Sequence, residues 1–239
     1  MTGLLTGIGV GPGDPDLITL KALKRLQAAD LICYPAPEDG DSLAREIAAP
    51  HIPEGRAEYA IRMPMVTARF PAAQVYDAAS LHIGDALDAG QNVVVLCEGD
   101  PFFYGSFMYL YERLAPKHRA EVVPGISSLM ASAAALGAPL VSRNDVLTVL
   151  PAPLPDDILR ARLENTDGAV IMKVGRHLER VRALLTDLGL LDGARYIEHA
   201  TMDNQRCLPL AEVDASAAPY FSMILLHKRG EAFLEGSRL

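Results

Sequence analysis

The chain has 239 residues, half of them apolar and 22% charged, with 30 acidic against 22 basic residues and a formal charge of −8. That apolar content excludes a mainly disordered chain. The acidic balance argues against a general nucleic-acid binder, which needs a basic face.

In chain order, Leu4 to Val10 is a short apolar, Gly-rich run that reads as a buried strand. Asp14 and Pro15 follow as N-cap and first helical residue, with Leu17, Leu20, Leu23 and Leu26 on one helix face. Leu31 to Tyr34 reads as the second strand, stopped by Pro35. Pro71 opens a long amphipathic helix whose face is Ala72, Val75, Ala79, Ile83 and Leu87, and Gly90 ends it. Val93 to Cys97 is continuously apolar, as a strand covered on both faces of a parallel sheet must be. A helix through Phe107 and Leu110 to Leu114 then breaks at Ala115-Pro116-Lys117, where a domain boundary is expected.

Beyond that point, Glu121 to Val123 reads as a strand and Ser127 to Leu136 as a helix. Further strands are expected at Val146 to Leu150, Ala169 to Val174, Ala194 to His199 and Tyr220 to His227. Leu178 to Leu188 is a helix capped by Gly189. The expected class is α/β, in two α/β domains spanning 1–117 and 118–239.

No apolar run reaches the roughly 18 residues of a spanning helix. Met1 to Val10 lacks the positive charge of a signal peptide, so a cytoplasmic, membrane-free protein is expected. Cys33, Cys97 and Cys207 are far apart and odd in number, which points to a reducing compartment. The six histidines show no pair at ligand spacing, so no metal is expected.

The N-terminal glycines do not make a dinucleotide loop. Counting from Gly7 and Gly9, the third position is Pro12; counting from Gly9 and Gly11, it is Asp14. Proline lacks the N–H, and a carboxylate at a helix start repels phosphate. The chain also contains no Gly-Lys pair, which excludes a P-loop.

Three strand-to-helix junctions remain, each with a plain and a functional reading. Gly11 to Pro15 is a tight turn with Asp14 as cap, or part of a site. In Glu98-Gly99-Asp100-Pro101, Gly99 allows close approach of a ligand and Asp100 accepts from hydroxyl or ammonium groups, or else caps a turn. In Val123-Pro124-Gly125-Ile126-Ser127-Ser128, Ser127 caps a helix, or the first-turn amides bind a carboxylate. Phe102 to Tyr111 holds six of the chain's 14 aromatic residues, as core or interface packing or as a wall for a flat ligand. Thr201 to Arg206 is a polar stretch after a strand.

The order of these segments resembles the tetrapyrrole methylases, S-adenosylmethionine enzymes of siroheme and cobalamin synthesis. The matching residues are Gly9 to Pro15, Glu98 to Pro101, Val123 to Ser128, Val174-Gly175 and Ala200-Thr201-Met202. Within the family, Cys97 to Tyr109 and Ser142 to Pro151 resemble the branch that methylates C20 of precorrin-2.

The resemblance implies two α/β domains with a cofactor cleft between them, and a homodimer. It implies S-adenosyl-L-methionine as cofactor, S-adenosyl-L-homocysteine as product and a small tetrapyrrole as substrate. Carried over by position, Pro12, Glu98, Gly99, Asp100, Ser127, Ser128, Val174 and Ala200 line the cofactor. Val174 stands where Met is frequent and Ala200 where Gly is frequent. Asp14 is the motif carboxylate placed to face the macrocycle as a base, a role compatible with helix capping. Arg62, Arg143, Lys173 and Arg176 are candidate partners for the substrate carboxylates. Rival readings are the same reaction on the cobalt-containing ring, and a nonenzymatic cofactor- or tetrapyrrole-binding module.

Overall fold

The first sheet has five strands, all pairs parallel, in the spatial order Ala57–Met63, Leu31–Pro37, Val93–Cys97, Leu4–Gly9 and Arg119–Val123. Its elements are β1 (Leu4–Gly9), a 3-10 turn (Pro15–Leu17), α1 (Leu20–Gln27), β2 (Leu31–Pro37) and α2 (Leu43–Ala48). After these come β3 (Ala57–Met63), α3 (Arg69–Asp88), β4 (Val93–Cys97), α4 (Phe107–Leu114) and β5 (Arg119–Val123). This computed structural model describes residues 2–63 and 69–229.

Central β4 is buried along its whole length. Val93, Val95 and Cys97 pack with Ile83 and Leu87 of α3 and Leu110 of α4. Val94 and Leu96 pack on the other face, with Leu26 of α1 and Ile47 of α2. The alternation of strand side chains thus feeds two cores, which is why the run carries no polar residue. Gly7 of β1 lies under Phe107: a Cβ there would stand 2.4 Å from the ring.

The second unit contains α5 (Ser128–Leu136), β6 (Leu147–Pro151), α6 (Asp156–Glu164), β7 (Gly168–Met172) and α7 (Leu178–Asp187). It closes with β8 (Ala194–Glu198), β9 (Arg206–Pro209) and β10 (Ser222–His227). The sheet order is β6-β7-β10-β8-β9, with only β6 and β7 parallel among its pairs. Ile171, Tyr196 and Ile224 face Leu159, Val181 and Leu185 of α6 and α7. Val170, Ile197 and Leu225 face Leu129 of α5.

The boundary is later than expected. The two units divide between Ser127 and Ser128, not at 117/118. The reason is β5, which pairs with β1 from Leu4↔Arg119 to Ile8↔Val123 and so belongs to the first sheet.

The helix expected from Asp14 is split. Asp14 caps only the 3-10 turn, Ile18 is extended, and Thr19 restarts the chain as the cap of α1, accepting from Ala22 N–H at 3.2 Å. The buried face is then Ala22, Leu26 and Ala29, and Leu20 is 75% exposed.

Pro35 does not stop β2. Pairing with β4 ends at Cys33, while pairing with β3 continues to Pro37↔Met63. Proline therefore falls where one side of the strand has already lost its neighbour. In α3, Ala79, Ile83 and Leu87 are buried as expected; the Ala72 side chain lies outside the described residues.

Candidate functional site

The loops that leave β1, β4 and β5 lie together at the carboxyl ends of the first sheet. In an open parallel sheet this is the end where ligands bind. Two backbone bonds join the first two loops: Val10 N–H donates to Cys97 O at 2.9 Å and Gly99 N–H to Gly11 O at 2.8 Å. Gly11 and Gly99 form an isolated antiparallel bridge, and both hold left-handed backbone, at φ 84° and 63°. Glycine adopts that conformation without the steric cost borne by other residues.

The third loop is attached through Asp100. Its Oδ1 accepts from Phe102 N–H at 2.9 Å and Phe103 N–H at 3.1 Å, and its Oδ2 from Gly125 N–H at 3.1 Å. The carboxylate therefore holds the turn after β4 and joins it to the loop after β5. Of the two readings of this turn, the capping one is present: the Gly99 N–H and both Asp100 oxygens bond within the loops.

Glu98, half-buried, sits one residue earlier. Burial pushes its carboxyl pKa up, opposed by backbone hydrogen bonds from Glu98 itself and Ala44. Asp14 Oδ1 accepts Asp16 N–H at 2.8 Å, so the capping role is present. Pro12, partly buried, follows left-handed Gly11, and Ser127 occupies the position before α5.

These loops, 10–14, 98–104 and 124–127, carry three carboxylates and no Lys or Arg. A pyrophosphate would find no cationic side chain here and would be repelled. A sulfonium or ammonium cation fits the same electrostatics. The carboxylates of these loops suit a cationic ligand better than a pyrophosphate.

In the second unit, Ser128 opens α5, while Val174 and Ala200 lie in the turns after β7 and β8. Val174 is fully buried in the core with Leu178 and Val181. Its side chain is committed to packing, so only its backbone is left for a ligand. Ala200 is partly buried against the α5-facing core.

The same turns hold three non-glycine residues with left-handed backbone: Lys173 (φ 58°), His199 (φ 51°) and Thr201 (φ 69°). Such conformations cost of order 1–3 kcal/mol each and concentrate at ligand-binding segments. Thr201 is the most unusual, since it is β-branched. The sequence singled out Lys173 and Thr201 on other grounds, and it did not mark the backbone conformation of any of the three.

Of the four candidate cations, Arg62 of β3 is held by the end of β2 and the turn that follows it, donating to Pro37 O at 3.0 Å and Gly40 O at 2.7 Å. Arg143 and Arg176 are exposed. Among the aromatic residues, Phe107 is fully buried, whereas Phe102 and Tyr104 are 48% and 45% exposed beside Asp100. Among the described residues no group of His, Cys, Asp or Glu is placed to hold a metal ion, and no helix is long and apolar enough to cross a membrane.

A family model for the tetrapyrrole (corrin/porphyrin) methylases matches residues 4–214. The chain is 42% identical over 244 residues to the cobalamin biosynthesis protein CobIJ of Mycobacterium tuberculosis, across 98% of this chain and 48% of that protein. It thus spans about half the length of the mycobacterial relatives it matches. It is 40% identical over 232 residues to a precorrin-2 C(20)-methyltransferase of Sinorhizobium sp., across 94% of this chain and 95% of the relative. Among solved structures, the uroporphyrin-III C-methyl transferase of Thermus thermophilus, complexed with S-adenyl homocysteine, shares the fold. Its TM-score is 0.69 at 24% identity, covering 93% of this chain and 97% of that one. By the extent of the family match and of these identities, the chain belongs to the tetrapyrrole methylases.

Proposed function

We propose that this chain is an S-adenosylmethionine-dependent methyltransferase that methylates C20 of precorrin-2, a step of cobalamin synthesis. The observation that carries the reading is the 40% identity to the Sinorhizobium enzyme of that name over 94% of the chain. The acidic, lysine- and arginine-free loops at the end of the first sheet support the cofactor class.

S-adenosylmethionine supplies an activated methyl group when bound. The chain's own task is then to place that methyl against a carbon nucleophile, and orientation alone can lower the barrier greatly. Glu98 and Asp14 provide negative potential beside the cation, and Asp100 keeps the loops in register. The exposed Phe102 and Tyr104 rings give a flat unsaturated ring a surface to stack on. Ser127, Ser128 and the backbone at Val174 and Ala200 complete the cofactor contacts in this reading. Asp14 removes a proton from the ring after methylation. Arg143, Lys173 and Arg176 pair with substrate carboxylates. The protein works as a cytoplasmic homodimer.

Two measurements test this. S-adenosylhomocysteine should raise the melting temperature and NAD should not, because a ligand that binds only the native state stabilises it. Label from the methyl donor should pass to precorrin-2, and comparison with the cobalt-containing ring decides between the two substrates. A shift with NAD alone, or no transfer to either ring, would overturn the reading.

A further inference from the structure

A row of polar side chains crosses the end of the second sheet. The strand register sets Arg206 of β9 opposite Glu198 of β8, and Glu198 opposite Ser222 of β10. Glu198 is 6% exposed. Both of its oxygens accept: Oε2 from Tyr196 Oη at 2.7 Å and Oε1 from Arg206 Nη1 at 3.0 Å. Tyr196 is fully buried; burial first, and then the Glu198 hydrogen bond, push its phenol pKa up. Ser222 stands beside Glu198 in the register and extends the row. Ser222 Oγ in turn donates to Pro219 O at 2.7 Å and accepts from Gly175 N–H at 3.4 Å.

The row ends on the two strained turns. His199 follows Glu198 in sequence, and its N–H donates to Phe221 O at 2.9 Å, next to Ser222. Gly175 follows Lys173 and Val174. A carboxylate taken out of water is unfavourable unless its partners are well placed, and an apolar residue would pack here at less cost. Left-handed Lys173, His199 and Thr201 persist only where their surroundings over-determine them. A carboxylate that accepts from an arginine and a tyrosine provides such a fixed point, because charge-assisted hydrogen bonds are the strong and directional ones.

We propose that Glu198, held by Tyr196 and Arg206 and set beside Ser222 in the sheet, is a positioning residue for the methyl-donor site. It holds the turns at Lys173 to Gly175 and His199 to Thr201 in their binding conformation. The proposal rests on the reading that these turns meet S-adenosylmethionine.

The test is calorimetric binding of S-adenosylhomocysteine to wild type, Glu198→Gln, Tyr196→Phe and Arg206→Gln, with hydrogen exchange at the Gly175 and Thr201 amides. In Glu198→Gln the amide oxygen accepts from only one of the two donors, and affinity should fall about tenfold, the usual scale for a hydrogen bond to a charged group. KM for the methyl donor should rise alike, with little change in KM for the tetrapyrrole, and both amides should exchange faster. Tyr196→Phe and Arg206→Gln should move in the same direction by less. Tyr196→Phe leaves the Glu198–Arg206 ion pair in place, so that variant keeps the fold even where Glu198→Gln does not. Unchanged affinity in Tyr196→Phe and Arg206→Gln, with only a lower melting temperature, makes the row purely structural and overturns the proposal. A wild-type protein that does not bind S-adenosylhomocysteine overturns the cofactor reading itself, a distinct result.

Discussion

Gly125 and Gly9 approach so closely that neither admits a side chain. A Cβ on Gly125 would stand 2.7 Å from Gly9 Cα and 2.0 Å from the Gly99 carbonyl oxygen. A Cβ on Gly9 would stand 2.3 Å from that same oxygen. The obstacles are backbone atoms, which cannot rotate aside. Gly9→Ala and Gly125→Ala should each lower stability by about 1–3 kcal/mol or more, the scale of overpacking, and weaken S-adenosylhomocysteine binding. Gly55→Ala is the control: φ is 71° with nothing within 4 Å, so it should cost only the left-handed strain, about 1–2 kcal/mol. Urea midpoints with ligand titrations check this.

Asp14→Asn keeps a capping oxygen for the Asp16 N–H, so the fold should persist. Single-turnover methylation should slow by about 10²–10⁴, the span for loss of a general base. Cofactor affinity should change much less. A near-normal rate would leave positioning as the whole mechanism.

Asp100→Asn leaves one acceptor oxygen where three backbone N–H groups now bond. At least one N–H loses its partner, at about 1–3 kcal/mol if it stays buried. A lower denaturation midpoint and weaker cofactor binding should appear together, because the same carboxylate joins two loops.

Glu98 gives stability a pH dependence of defined sign. Its folded carboxyl holds a proton to higher pH than the unfolded one, because of burial. From about pH 4.3, the unfolded value, up through the raised folded value, the native state binds more protons. This group's contribution to stability therefore falls as pH rises through that window. Glu98→Gln should remove that decline, seen as a flatter plot of urea midpoint against pH above the unfolded carboxyl value.

Much of the first unit was legible because hydrophobic period and breakers agreed. Val93 to Cys97 is the strand expected, and α3 buries Ala79, Ile83 and Leu87 before Gly90. Local signals misled where pairing decided the outcome. Pro35 sits inside β2 because β4 has already left that edge, and Ala115 to Lys117 is a turn within a unit because β5 returns to β1. Elements with weak or mixed patterns, α2, β3, α6 and β9, were not foreseen. At the candidate site, motif order singled out the loops after β1, β4 and β5 that the structure brings together. It did not show that Asp100 spends its oxygens on backbone amides or that the Val174 side chain is core. Glu198 left no trace beyond its place in the strand expected from Ala194 to His199, because its neighbours Arg206 and Ser222 come from β9 and β10.

The most direct measurement is the position of the new methyl group. Precorrin-2 is incubated with the protein and S-adenosylmethionine carrying a ¹³C-methyl, and the product is examined by mass and NMR. The account predicts one added methyl, bonded to C20. A methyl at any other ring position, or an unmodified ring with active cofactor present, would contradict it.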